Sequence, residues 1–219
     1  MNFTDFIRNS GVACHPVVKF DEYIPLDLSK DNSELAKVDL NNESSFTGYI
    51  FNLLQENDKL VGVGGYAEER SLYSRSDLFE GEEPRTIHLG IDIWSAAGTE
   101  VYAPIAGVVH SFANRNIHGD YGPVIILEHS VKDKKFYTLY GHLSLSSLDD
   151  LHIGKKFAGG EKLAEMGSYE ENFHWPPHLH FQVMWDIQGY EGDYPGVCRS
   201  SEKDVFLSNC PDPAILLHL

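Results

Sequence analysis

Two histidines one residue apart, His178 and His180, stand in the stretch Pro176-Pro177-His178-Leu179-His180-Phe181-Gln182-Val183. In an extended strand the side chains of positions i and i+2 leave the same face, roughly 6 to 7 Å apart, so both imidazoles can meet at one point. Leu179 and Phe181 fall on the opposite, apolar face, and Pro176-Pro177 forces an extended entry. A second pair stands upstream in His88-Leu89-Gly90-Ile91-Asp92. Along a regular strand positions i and i+4 lie roughly 13 Å apart, too far to share an ion. Gly90 permits the bend that sharing would need. His88, Asp92 and one histidine of the later pair make three nitrogen and oxygen donors with a fourth position open, the ligand arithmetic of a catalytic zinc. The other histidine of the pair is then left free beside the metal. His142, in Tyr140-Gly141-His142-Leu143-Ser144, is the candidate for a second free imidazole. The plainer alternatives are half-buried strand histidines for the pair and a turn cap for His142. His110, His118, His129, His152 and His218 read as strand-end or surface residues.

The elements that must position these groups begin at Ile87. From there short apolar runs at 87–94, 101–103, 107–112, 123–129, 136–140, 162–166 and 178–185 read as strands. Turn residues such as Ala97-Gly98, Gly119-Asp120, Lys132-Asp133 and Gly159-Gly160 separate them. Strands this short and regular predict a mainly β protein, a small antiparallel β sandwich or barrel, and no alternation with helices suggests a parallel α/β sheet. Residues 1–85 differ in texture and read as an N-terminal α+β extension that packs on the body or forms a lid. Within it Phe46, Ile50, Leu53 and Leu54 recur at helical spacing after Asn41, Asn42 and Ser44, which supply a cap. Val61-Gly62-Val63-Gly64-Gly65-Tyr66 reads as a glycine-rich strand or turn; without a following Lys-Ser/Thr it is no phosphate loop. The acidic stretch 67–86 reads as a solvated connector. The expected organisation is therefore an extension over 1–85, a β domain over 86–186 and a tail over 187–219 that docks on it.

Composition bounds the partners. Of 219 residues 42% are hydrophobic and 12% aromatic, as in a globular protein with a proper core. A formal net charge of -16 argues against nucleic acid, and against an anionic membrane surface or wall polymer, as partners held by charge. The first ten residues carry charge within their apolar stretch and do not read as a signal peptide, so a cytoplasmic location is expected. The three cysteines, Cys14, Cys198 and Cys210, are too few and scattered for a disulfide framework, although Cys198 and Cys210 have the option of pairing after export.

Four blocks occur in order: Ile87-His88-Leu89-Gly90-Ile91-Asp92-Ile93; Ala97-Gly98-Thr99 with Val101-Tyr102-Ala103-Pro104 and Gly107-Val108-Val109; Tyr140-Gly141-His142-Leu143-Ser144; and His178-Leu179-His180-Phe181. Together they resemble the lysostaphin and LytM type zinc metallopeptidases, the glycyl-glycine endopeptidase family, over residues 85–186. The resemblance implies a small antiparallel β fold of duplicated hybrid motif type and hydrolysis of peptide bonds, typically in peptidoglycan cross-bridges or stems. It implies Zn²⁺ held by His88, Asp92 and His180, with His142 and His178 as the non-ligating active-site histidines. These two would divide the activation of water and the support of the oxyanion or leaving amine, in an order the sequence leaves open. All five residues are present, which favours an enzyme over the inactive relatives that serve as activators.

The chain also departs from that family. A glycine- and threonine-rich turn usually precedes the His-x-His and a Glu follows its Phe, where this chain has Glu170-Glu171-Asn172-Phe173-His174-Trp175-Pro176-Pro177 and Gln182. His174 and Trp175 are expected at the rim of the cleft. The flanking segments are similar to the peptidase-like domain of large fusion proteins that also carry a kinase-like domain and a class III aminotransferase. The substrate is thus a peptide or amide, either in peptidoglycan or as a soluble cytoplasmic molecule. The reading from another class is an idle metal-binding module that serves protein interaction.

Overall fold

The computed structural model describes residues 2–75 and 83–219. Its frame is an eight-stranded sheet in the order β1-β2-β4-β11-β8-β7-β6-β9, antiparallel except for the β1·β2 pair. In chain order these strands are β1 (Ile24–Leu26), β2 (Gly62–Gly64), β4 (Ile91–Trp94), β6 (Gly107–Arg115), β7 (Gly122–Val131), β8 (Lys134–Gly141), β9 (Lys156–Phe157) and β11 (His178–Met184). Two antiparallel pairs complete the β structure: β5 (Glu100–Tyr102) with β10 (Lys162–Glu165), and β3 (Arg85–His88) with β12 (Val197–Arg199). The protein is mainly β, and its sheets are antiparallel almost throughout.

β11 runs through the middle of the sheet, between β4 and β8, and all seven of its residues are buried. Leu179, Phe181 and Val183 enter the larger core with Ile93, Val101, Ile125 and Leu127. The alternate residues, His178, His180 and Gln182, point to the other face and are buried as well. Burying side chains the size of Leu or Phe is worth about 1.5–3 kcal/mol each, so the apolar face holds the strand in register. That register sets the polar face: a slip of one residue would send both histidines into the core.

The run 87–94 is not one strand. It breaks at Leu89-Gly90: β3 turns away to pair with β12 while β4 pairs with β11. This is the bend that a shared ion would require.

Residues before β3 are woven into the sheet. β2 pairs with β4, with Gly64 opposite Asp92, and β1 joins beyond it. Residues 67–70 then run beside β3, linked by Ala67 N to His88 O at 3.0 Å, His88 N to Glu68 O at 2.9 Å and Arg70 N to Thr86 O at 2.8 Å. The expectation of a solvated connector therefore fails at this end, because those backbone groups find partners in β3; residues 76–82 lie outside the described residues. Helix α1 (Phe3–Ser10) is capped by Asn2 and buries Phe3, Phe6 and Ile7. Helix α2 (Glu43–Glu56) is capped by the Asn42 side chain, which accepts from Ser45 N at 2.9 Å. Its Phe46, Ile50 and Leu54 form the buried stripe, with Phe46 edge-on to both Trp94 and Trp175. The tail folds into α3 (Lys203–Asn209) and α4 (Ala214–Leu217), with Leu216 and Leu217 buried in the larger core. No helix among the described residues is long and apolar enough to cross a membrane.

Candidate metal centre

Three polar side chains converge where β3, β4 and β11 meet. His88 closes β3, and His180 stands opposite Asp92 in the β11·β4 register. Their facing atoms are His88 Nε2, Asp92 Oδ1 and His180 Nδ1. His88 Nε2 lies 2.9 Å from His180 Nδ1, and each of these nitrogens lies 3.1 Å from Asp92 Oδ1. All three residues are buried, at 1%, 3% and 4% exposure. Four donors set tetrahedrally at about 2.0–2.1 Å from zinc would stand roughly 3.3 Å apart, close to this spacing.

The outer nitrogens of both rings are already committed. His88 Nδ1 lies 2.9 Å from Gly65 O, and a carbonyl only accepts, so the proton of a neutral ring is on Nδ1. His180 Nε2 lies 2.9 Å from Gln182 Oε1. The Gln182 amide is oriented by its Nε2, which donates to Pro195 O at 3.2 Å and to Cys210 Sγ at 3.4 Å, so its oxygen faces the ring. In the neutral rings, then, both inner nitrogens present lone pairs, and they face one another and a carboxylate oxygen. Three acceptors within 3.1 Å in a buried site repel unless a cation or a proton lies among them. The residues fit a divalent metal ion, and zinc suits two imidazoles and a carboxylate. These three residues are a group among the described residues whose donors could hold a metal.

The other two predicted residues stand beside the cluster. His178 is stacked on Trp94 with ring centroids 4.1 Å apart and planes 14° from parallel, and its Nδ1 donates to Pro176 O at 2.8 Å. Its Nε2 therefore carries the lone pair. Burial pushes the His178 pKa down to about 4, which keeps the ring neutral near pH 7. His142 has a left-handed backbone, φ 61°, where the chain leaves β8. Its ring centroid lies 4.0 Å from that of His178. Burial, together with the charge that His178 or His180 would carry, holds it well below the usual histidine range. The His142 Nδ1 is wholly buried, and the ring lies against the Asn172 backbone, whose hydrogen bond acts to raise its pKa. Both rings line, with Asp92 and His180, a cavity of about 240 Å³ walled by Tyr121 and Trp175 among others.

All five residues singled out in the sequence thus meet in one place. Trp175 is not at a rim: it is 3% exposed and forms part of the wall, whereas His174 is exposed. His129 is a correction, since it is fully buried, held between Ala106 O and Thr138 Oγ1 and stacked on Phe136. Cys198 and Cys210 are buried free thiols.

Sequence reasoning missed Arg70, which is 1% exposed and pairs with Asp92 Oδ2 through Nη1 at 2.5 Å. Asp92 is held well below the ordinary carboxylate range. Burial acts to raise it, but positive charge beside it, on His88 when that ring is protonated and on the Arg70 guanidinium, outweighs that. A lone arginine within an acidic stretch carries no spacing signal, and only the glycine run 62–65 hinted at close packing there.

Comparison with known proteins finds one family model and several solved structures similar to this chain. The model of peptidase family M23 matches residues 86–192, a segment that contains all five residues. Solved structures similar to this chain include the catalytic domain of the antimicrobial peptidase lysostaphin from Staphylococcus simulans. It is 22% identical over 64% of this chain and 86% of that one, with a TM-score of 0.42. The catalytic domain of the prophage-encoded M23 protein EnpA from Enterococcus faecalis, solved as a mutant, is 23% identical over 50% of this chain and 79% of that one, with a TM-score of 0.38. Csd3 from Helicobacter pylori is 24% identical over 57% of this chain and 32% of that one, with a TM-score of 0.36. The chain spans less than half, 47%, of an M23 structure from Pseudomonas aeruginosa that it also matches. No curated protein matches the chain. Within the matched segment the candidate ligands come from β3, β4 and β11, while their supports at Gly65 and Arg70 lie before its start.

Proposed function

We propose that this chain is a zinc-dependent metallopeptidase that hydrolyses a peptide or amide bond. The observation that carries the reading is the convergence of His88 Nε2, Asp92 Oδ1 and His180 Nδ1, with both outer imidazole nitrogens committed elsewhere. These three residues would hold the ion. What zinc supplies when bound is Lewis acidity, which polarises a carbonyl and acidifies water.

The chain's own residues supply the proton chemistry. His178 offers a neutral Nε2 to the cavity, and the neutral His142 ring lines the cavity beside it. Either ring can accept the proton of the attacking water, and the ring that accepts it becomes the acid that protonates the leaving amine. Because the rings lie 4.0 Å apart, positive charge on one opposes positive charge on the other, so the neutral pair takes up one additional proton at a time. Trp94 stacked on one side of His178 and Trp175 edge-on to both rings fix their orientation.

The test is metal content by elemental analysis together with amide hydrolysis on the same samples of the wild-type chain. Near-stoichiometric zinc with turnover on some peptide or amide is the expected result. A wild-type protein that cannot be loaded with zinc would leave the fold as a binding module.

A further inference from the structure

Asp92 offers two oxygens, and the structure separates their tasks. Oδ1 faces the two histidines, while Oδ2 lies 2.5 Å from Arg70 Nη1. The guanidinium is held on every side: Nε donates to Glu68 Oε2 at 2.6 Å, Nη1 also reaches Tyr73 Oη at 3.3 Å, and Nη2 donates to Gly65 O at 3.3 Å. Glu68 is itself fixed, since its Oε1 accepts from Leu28 N at 3.1 Å. Gly65 O is the same carbonyl that holds His88 Nδ1, so one arginine braces the supports of two candidate ligands. Room for it depends on Gly64, where a Cβ would come within 2.8 Å of Arg70 Nη2.

A carboxylate can bind a cation through one oxygen or both, and a charge-assisted hydrogen bond to one oxygen leaves the other as donor. A buried guanidinium is costly to desolvate, and the ion pair that compensates it is no evidence of a net gain in stability. The geometry points to Arg70 as a positioning residue that restricts Asp92 to a single metal-facing oxygen, Oδ1, and thereby keeps a coordination position open for substrate. This rests on the zinc reading above. It assigns part of the centre to residues that precede the segment matched by the M23 model.

The experiment uses Co²⁺ as a spectroscopic probe and zinc affinity by chelator competition on the full chain. Two variants are compared with the wild type: Arg70→Met combined with Glu68→Gln, which removes both charges and keeps the acceptor for Leu28 N, and Arg70→Lys, which keeps the buried charge. With Oδ2 released, Asp92 is expected to bind through both oxygens, so the intense visible bands of four-coordinate Co²⁺ weaken towards those of a higher coordination number. Zinc affinity is expected to fall about 10- to 100-fold, the usual effect of losing an outer support. Arg70→Lys is expected to shift the bands in the same direction, because one ammonium lacks the fork that spans Glu68 and Asp92; if the double variant does not fold, this variant decides. Wild-type bands and wild-type zinc affinity in the folded variants would overturn the inference. A wild-type chain that takes up neither metal fails differently, since it removes the zinc reading itself.

Discussion

Gly90 lies so close to the His180 ring that an added Cβ would come within 2.9 Å of its Cε1 and Nε2, and within 2.6 Å of Phe181 O. The glycine does more than allow the chain to turn between β3 and β4: its missing side chain lets the turn pass against a candidate ligand. Gly90→Ala is therefore expected to push the His180 ring or the β11 backbone aside. Overpacking of this kind costs about 1–3 kcal/mol, so denaturant unfolding should show a loss of that size together with weaker zinc binding. A variant with unchanged stability and zinc affinity would show that the contact is not a constraint.

The five residues should divide into two groups by metal content. His88→Ala and His180→Ala are expected to lose zinc, whereas His142→Ala and His178→Ala should keep it and lose turnover. Positioned proton transfer contributes typically about 10²- to 10⁴-fold, which sets the expected fall in kcat for the second pair. Elemental analysis beside kinetics separates the groups, and full zinc occupancy in His180→Ala would sink the ligand assignment.

Gln182 holds the outer nitrogen of His180, and its own amide hydrogens are spent on Pro195 O and Cys210 Sγ. Gln182→Leu keeps the volume and removes the acceptor. Zinc affinity measured by competition is expected to drop about 10- to 100-fold with the fold intact by circular dichroism. Equal affinity would mean that the tautomer of His180 is set by something else.

His129 gives a pH dependence away from the metal centre. Burial pushes its pKa down to about 4, against about 6.5 for an unfolded chain, so the unfolded state binds the proton first as pH falls. Its contribution is complete above about pH 6.5 and is lost progressively towards pH 4, to a total of about 3 kcal/mol. His129→Gln should be less stable at pH 7 and lose less stability between pH 7 and 4.5 than the wild type in urea unfolding. Parallel pH profiles for the two proteins would show that His129 is not the titrating group.

The candidate site was legible in the sequence because its pattern is local. A His-x-His on a strand puts both rings on one face, and the alternation of Leu179 and Phe181 says which face is core. Likewise Phe46, Ile50 and Leu54 after Asn42 announce α2 and its cap, since both depend on residues close together in the chain. The break at Gly90 was legible as a condition, because His88 and Asp92 cannot share an ion without it.

What only the tertiary structure decided depends on pairs far apart in the chain. Gly65 O and Arg70 reach the centre because β2 pairs with β4 and residues 67–70 run beside β3, and nothing within the acidic stretch specifies those partners. His129 reads as a strand-end histidine in one dimension, yet β6 and β8 flank β7 and bury it. Side-chain periodicity reports which face of an element is apolar, and so the sequence alone marked most of the longer strands and singled out the five candidate residues. Which neighbour covers each face, and which carbonyl or guanidinium holds each candidate ligand, follows from long-range strand pairing that no local pattern encodes.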